Sequence, residues 1–274
     1  MSYLRLSSAL PRAQTALPIC AHSSITSSAP PADVMKSYLR TKLLIATLVI
    51  LLAGAMALWQ VSKSRTFQFF GSIVPRVNTS EKVVALTFDD GPTPSGTNEI
   101  LKVLDDMNVK ATFFVIGAEL ERNMSEGRKI VAAGHELGNH SYSHARMVLV
   151  TPYFVQQEVE KTDRLIKEAG YSGKINFRPP FGKKLLALPH YLSKTSRTTI
   201  TWDIEPDSNP EIASDSTKII EDARSRVRPG SIILLHVMYP SRRESLKAVR
   251  GIIESLWREG YRFVIISELL AAAH

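Results

Sequence analysis

Cysteine is all but absent: Cys20 stands alone among 274 residues. One thiol excludes an intrachain disulfide framework. It is also badly placed for a lipid anchor, because Pro18-Ile19 before it are not small residues and no apolar helix precedes it. Acid is as scarce at the start of the chain. Residues 1–79 hold eight Lys/Arg against one acid, Asp33, so this stretch carries +7 of the formal +8. Residues 80–274 are left near neutral, which argues against a nucleic-acid surface there. There is no Gly-rich phosphate loop and no internal repeat, so the nucleotide-binding and solenoid classes fall away.

What is present divides into four stretches. Residues 1–34 are rich in Ser, Ala and Pro without sustained periodicity and read as a disordered extension. Met35 reads as the natural start of an export sequence: Lys36, Arg40 and Lys42, then an apolar run from Leu43 to Trp59. That run sits at the short end for a spanning helix and exceeds a signal-peptide core of about 7–15 residues. With Trp59 at the interface position, residues 35–61 are expected to be an uncleaved signal-anchor, in preference to a signal peptide cut at Ala53-Gly54-Ala55 or Ala55-Met56-Ala57. The rest then lies outside the cytoplasm, on the periplasmic or cell-surface side. Residues 62–79 read as a short linker. Residues 80–274 read as one catalytic domain, expected to fold alone from about Thr79 onward.

Strand-like and helix-like stretches alternate through that domain, which implies a parallel α/β sheet, open or closed into a barrel. Val83–Asp89 reads as a strand and Ser95–Met107 as an amphipathic helix. Thr151-Pro152 opens a helix that Gly170 ends. Ser231–Leu235 reads as a buried strand, Ser241 to Glu244 as a capping box, and Tyr261–Ser267 as the last strand.

Four motifs carry chemistry. Thr87-Phe88-Asp89-Asp90-Gly91-Pro92 delivers two acids to the mouth of a strand, followed at once by a turn. Neighbouring strand residues face opposite sides, so the two acids are expected to do different jobs. His140-Ser141-Tyr142-Ser143-His144 sets two imidazoles at i, i+4, on one side of a helical turn and fit for one metal. One carboxylate and two histidines make a three-ligand set with room for water, leaving the second acid free as a base. In Arg178-Pro179-Pro180-Phe181-Gly182 two prolines remove two donors, so the first amide after Arg178 is that of Phe181, suited to an oxyanion. Arg178 can hold a carboxylate by a two-pronged contact. Ile232 to Leu235 ends in His236, the commonest type of general acid or base.

In this order the motifs resemble those of the polysaccharide deacetylases of carbohydrate esterase family 4, over about residues 80–271. The resemblance implies a distorted (β/α) barrel, here preceded by one N-terminal hydrophobic helix, with a divalent metal, usually zinc, at the strand mouths. It implies Asp89 as catalytic base, Asp90, His140 and His144 as metal ligands, and His236 as the acid that protonates the leaving amine. It further implies Arg178 as the residue that positions the base and the Phe181 amide as oxyanion donor, with Trp202 and Leu235 in the acetyl pocket.

Two departures stand out. The family's W-x-x-D-x-x-D-W motif is shortened by one residue in Trp202-Asp203-Ile204-Glu205-Pro206-Asp207 and lacks the second Trp. Asp207 is the first choice for the acid that contacts Arg178, Asp203 the second. Val237 stands where the family usually has Asp after the last histidine, which leaves open what tunes His236. The implied function is metal-dependent deacetylation of an N-acetylated glycan: peptidoglycan first, an exopolysaccharide or chitin-like oligosaccharide second. The alternatives are a deformylase of a lipid-linked amino sugar and an inactive glycan-binding module. The partners implied are the glycan and the membrane, with no nucleic acid and no evident protein partner.

Overall fold

A computed structural model describes residues 32–273. The helices are α1 (Ala32–Ser62), α2 (Pro94–Asp106), α3 (Gly117–Arg122), α4 (Met124–Ala132), α5 (Pro152–Glu168), α6 (Ala187–Lys194), α7 (Pro210–Ala213), α8 (Ser216–Arg226), α9 (Arg243–Arg258) and α10 (Ile266–Ala271). The strands are β1 (Ile73–Val74), β2 (Val83–Asp89), β3 (Thr112–Val115), β4 (Glu136–Asn139), β5 (Thr199–Ile200), β6 (Ile232–His236) and β7 (Arg262–Val264). Of the stretch expected to be disordered, residues 1–31 lie outside the described residues, and 32–34 open α1.

α1 is long and apolar enough to cross a membrane, and residues 33–60 of it are exposed. The second compact unit, from Leu52 onward, holds the whole sheet. All its ladders are parallel: β2 lies between β3 and β6, β4 extends the sheet beyond β3, and β7 pairs with the first residues of β2. Isolated parallel bridges carry the ring onward, Asn139 to Phe177, Phe177 to Thr199, and Ile204 back to Ile233 on β6. The barrel is therefore distorted: half of its circumference is laddered and half is joined one residue at a time.

β2 is the axis. Every one of its seven residues is buried, which explains why apolar residues fill both of its faces up to Thr87. Leu86 and Phe88 face the helix layer with Ile100, Leu104 and Ile252. Ala85 faces the interior with Phe114, Trp202 and Leu234. Thr93 and Thr151 cap α2 and α5, each accepting a backbone N–H from its own first turn, with proline directly after.

Three expectations change. Ser241 and Glu244 form no capping box: a 3₁₀ turn over Pro240–Arg242 leads into α9, and the Glu244 carboxylate turns to the Ser216 N–H and Lys247. The last strand stops at Val264, because the Thr112 hydroxyl accepts the Ile266 N–H and the Glu136 carboxylate the Ser267 N–H, which starts α10. Residues 62–79 are no slack linker. Ser62, Gln68 and Val77 are buried, β1 pairs with β5, and the Val77 N–H donates to the Gly230 carbonyl at 2.9 Å.

Residues 62–79 accordingly pack with the domain rather than tether it. A chain beginning at Thr79 is expected to melt about 10 °C below one beginning at Gln60. It loses Val77, worth ~1.5–3 kcal/mol on burial, together with β1, at ~2–4 °C per kcal/mol. Thermal unfolding of the two chains measures this, and equal melting temperatures would mean that residues 62–78 are a passive tether.

Candidate active site

Two acids leave the mouth of β2, and the backbone separates them. Asp89 is the last strand residue, buried, on the interior face with Thr87. Asp90 has left the strand at φ +74°, a left-handed conformation that asparagine and aspartate adopt more readily than most residues. The turn brings its carboxylate back over the mouth. Both acids thus face one cavity of about 610 Å³, rather than opposite sides of a sheet.

Arg178 holds Asp89. Its Nη1 donates to Asp89 Oδ1 at 2.7 Å and to Thr87 Oγ1 at 2.9 Å, and its Nη2 to the Thr201 carbonyl at 3.1 Å. The guanidinium lies 4.0 Å from the centre of the Phe114 ring and is fully buried. The contact with Asp89 is one-pronged, because Nη2 is turned to the Thr201 carbonyl and Nε to that of Ile200. Burial pushes the Arg178 pKa below its ordinary value, and the Asp89 charge and hydrogen bond oppose that shift. Breaking a buried pair of this kind by removing one partner costs about 3–5 kcal/mol.

Asp90, His140 and His144 converge next to it. Asp90 Oδ1 lies 3.9 Å from His140 Nε2 and 3.4 Å from His144 Nε2. The two histidines sit on an irregular loop and not on a helical turn. Ser141 and His144 take positive φ, and side chains splint the loop. Asn139 Oδ1 accepts the Ser141 N–H, and Glu158 Oε2 accepts those of Tyr142 and Ser143. His140 Nδ1 is 2.8 Å from the Arg178 carbonyl, to which it donates, so Nε2 turns its lone pair to the cavity. Asp90 Oδ1 is buried with no hydrogen-bond partner among the described residues. A buried carboxylate oxygen without a donor, facing two imidazole nitrogens, fits a divalent cation. Burial and then the neighbouring His140 push the His144 pKa down, which keeps the imidazole in its ligating form.

His236 closes the opposite wall at the end of β6. Asp207 lies directly behind it: both carboxylate oxygens are 3.4 Å from His236 Nδ1, and Oδ2 also accepts the His236 N–H and the Ser245 hydroxyl. Burial works against a charged His236. The Asp207 hydrogen bond and charge, helped by Asp89 and Asp90, outweigh it and raise the pKa to about 9. Asp207 in turn is held below the usual carboxylate range, burial being outweighed by His236.

The expected contact between Arg178 and Asp207 is therefore not formed. Asp207 belongs to His236, in the role that Val237 cannot fill. Asp203 is also elsewhere, accepting from the Ser231 hydroxyl and the Ile232 N–H at the start of β6. Trp202 lines the cavity, its Nε1 donating to Glu205 Oε2 at 2.8 Å. The apolar wall beside it is Leu234 and not Leu235, which faces the helix layer; adjacent residues on β6 point to opposite sides. Phe181 has φ +58°, and its amide has no hydrogen-bond acceptor among the described residues. Its ring lies against His144, centres 4.6 Å apart and planes tilted by 48°.

Thr87, Glu158 and Glu205 are the site residues that the motifs do not single out. Thr87 could have been found, since i and i+2 on a strand share a face with Asp89. Glu158 comes from α5 and Glu205 from the shortened motif, and neither carries a local signal.

Comparison with known proteins gives a consistent set of matches. The family profile described as polysaccharide deacetylase matches residues 76–203. A peptidoglycan-N-acetylglucosamine deacetylase of Bacillus cereus is 31% identical over 208 residues, covering 74% of this chain and 95% of that protein. A chitooligosaccharide deacetylase of Bradyrhizobium is 31% identical over 68% of this chain and 90% of its own length. Among solved structures, a peptidoglycan N-acetylglucosamine deacetylase superposes with a TM-score of 0.68 at 29% identity, over 72% of this chain and 92% of the other. A pseudoenzyme of carbohydrate esterase family 4 from Bacillus anthracis does so with a TM-score of 0.65 at 26% identity, over 76% and 70%.

Proposed function

Because the chain belongs to the polysaccharide deacetylase family, carbohydrate esterase family 4, we propose that it hydrolyses the acetamide of N-acetylated sugars in an envelope polysaccharide, peptidoglycan first. The observation that carries this reading is the opposition across one cavity of a base held by Arg178 and an acid held by Asp207, with a three-ligand cluster between them. Exopolysaccharide or chitin-like oligosaccharide is the second substrate class, in line with the chitooligosaccharide relative.

Asp90, His140 and His144 would hold one divalent cation; two imidazoles and a carboxylate with an open position suit zinc. The ion supplies Lewis acidity there, lowering the pKa of a water to ~7 and polarising a carbonyl. Asp89 takes the proton of the attacking water, and Arg178 keeps that carboxylate oriented. The Phe181 N–H, otherwise unpartnered, donates to the oxygen on which negative charge develops. One such donor is worth very roughly 3 kcal/mol. His236 carries its mobile proton on Nε2, since Nδ1–H points at Asp207, and gives it to the departing nitrogen. Trp202 and Leu234 wall the acetyl methyl. α1 is read as an uncleaved anchor that keeps the domain on the outer side of the membrane, with Lys36, Arg40 and Lys42 on the inner side.

Product release tests the reading. The full chain is expected to liberate acetate from peptidoglycan, to stop when a chelator strips the metal, and to resume when zinc is returned. Formate from a lipid-linked formamido sugar, with no acetate from any glycan, would make it a deformylase. Glycan binding without either product would make it a binding module, as a match to a pseudoenzyme keeps in view.

A further inference from the structure

The geometry points to a second membrane contact, in which an apolar and basic face of the catalytic domain lies on an anionic lipid surface beside the end of α1. This inference rests on reading α1 as an anchor.

The end of α1 is fixed to one place on the domain. The Lys184 N–H donates to the Ser62 carbonyl at 2.9 Å, and Lys184 Nζ, itself buried, bonds the Ser64 carbonyl. Around that point the surface has the composition of a bilayer interface. Trp59 is half exposed, with Lys183 Nζ 4.9 Å from its ring centre. Phe67 and Phe69 pack edge to face, Phe70 packs on His190, and all three phenylalanines remain 41–50% exposed. Phe70 borders an open apolar groove of about 590 Å³ whose rim carries Leu149, 91% exposed, and Leu186, 50% exposed. A leucine held almost wholly in water on an ordered domain has no partner within the fold.

Cations surround the same point. Burial and then the charges of Lys63 and Arg146 push the Lys183 ammonium below its ordinary range, so three basic groups share one neighbourhood. Aromatic side chains settle at the level of lipid headgroups, and Lys and Arg near an anionic surface strengthen the attachment. The occupant assigned is therefore the bilayer that already holds α1, since the face is continuous with the point where that helix joins the domain. A soluble glycan would not explain exposed leucine and phenylalanine next to clustered cations.

The test uses the full chain with Cys20→Ser, reconstituted in vesicles of phosphatidylcholine and phosphatidylglycerol. An environment-sensitive dye is placed at Leu149→Cys, and in a separate sample at Lys247→Cys, on the solvent side of α9. Emission at position 149 is expected to shift to the blue and to be quenched by lipids brominated on their chains, while position 247 does neither. Lys63→Glu with Lys183→Glu is expected to reduce the quenching at position 149 without changing turnover of a soluble oligosaccharide. If the protein floats with the vesicles yet position 149 stays in water, the anchor reading stands and the docking face is wrong. If the chain does not float at all, both fall. A blue shift that depends on protein concentration and ignores brominated lipid would assign the face to a second copy of the chain, and so overturn the proposal.

Discussion

Asp89→Asn is expected to retain stoichiometric metal and glycan binding while losing about 10²–10⁴-fold in turnover, the usual span for a general base. Asp90→Asn should lose metal and activity together, because an amide is a neutral and poorer ligand than a carboxylate. The separation follows from their different surroundings. Asp89 Oδ1 is occupied by Arg178, whereas Asp90 Oδ1 has no donor and faces two imidazoles. Asparagine at position 89 still offers Arg178 a carbonyl oxygen, so the buried guanidinium keeps an acceptor but loses a countercharge. Asp89→Ala removes both and should approach the ~3–5 kcal/mol cost of an orphaned buried charge. Metal content by elemental analysis, with circular dichroism as the folding control, decides the outcome. An Asp89→Asn protein that comes out metal-free beside a replete, inactive Asp90→Asn would reverse the roles. Full activity in both would reduce the pair to a turn.

Removing His236 should cost about as much. His236→Ala is expected to keep metal and lose about 10²–10⁴-fold on a substrate with a poor amine leaving group. The finer test is Asp207→Asn. In the proposed role His236 acts in its protonated form, so activity is expected to fall as pH rises through its pKa, which Asp207 raises to about 9. A cation held by Asp90 would lower that value, so the alkaline limb of kcat/KM is expected at or below about 9. Asp207→Asn removes the hydrogen-bonded charge that raises the pKa, and the limb should move to lower pH. The sign is diagnostic. If Asp207 only held the loop, turnover would fall at every pH and the limb would stay where it was.

The parts of this site that could be read from the chain are those in which local chemistry fixes local shape. Val83 to Phe88 has to be a buried strand because it is apolar without alternation, and Asp89 is its last residue. The prolines of 179–180 leave the Phe181 amide as the next donor, and it is found without a partner. What escaped depends on contacts between distant residues. Asp207 reaches His236 across 29 positions, and nothing in Pro206-Asp207-Ser208 says which of the nearby basic groups it will meet. The two histidines come together through Asn139 and Glu158, not through the helical turn that their spacing suggested. Residues 62–79 resembled a linker because β1 is only two residues long, too short for any periodicity to register.

With no slack between Ser62 and β1, the mouth of the barrel has a fixed reach. A folded unit of this size has a radius of gyration of only ~17 Å. On the proposed anchor and substrate, the domain would reach only a thin shell of glycan next to the lipid and leave the outer layers of a thick wall alone. New strands would be modified as they are laid down, and age within the wall would be written as distance from the membrane.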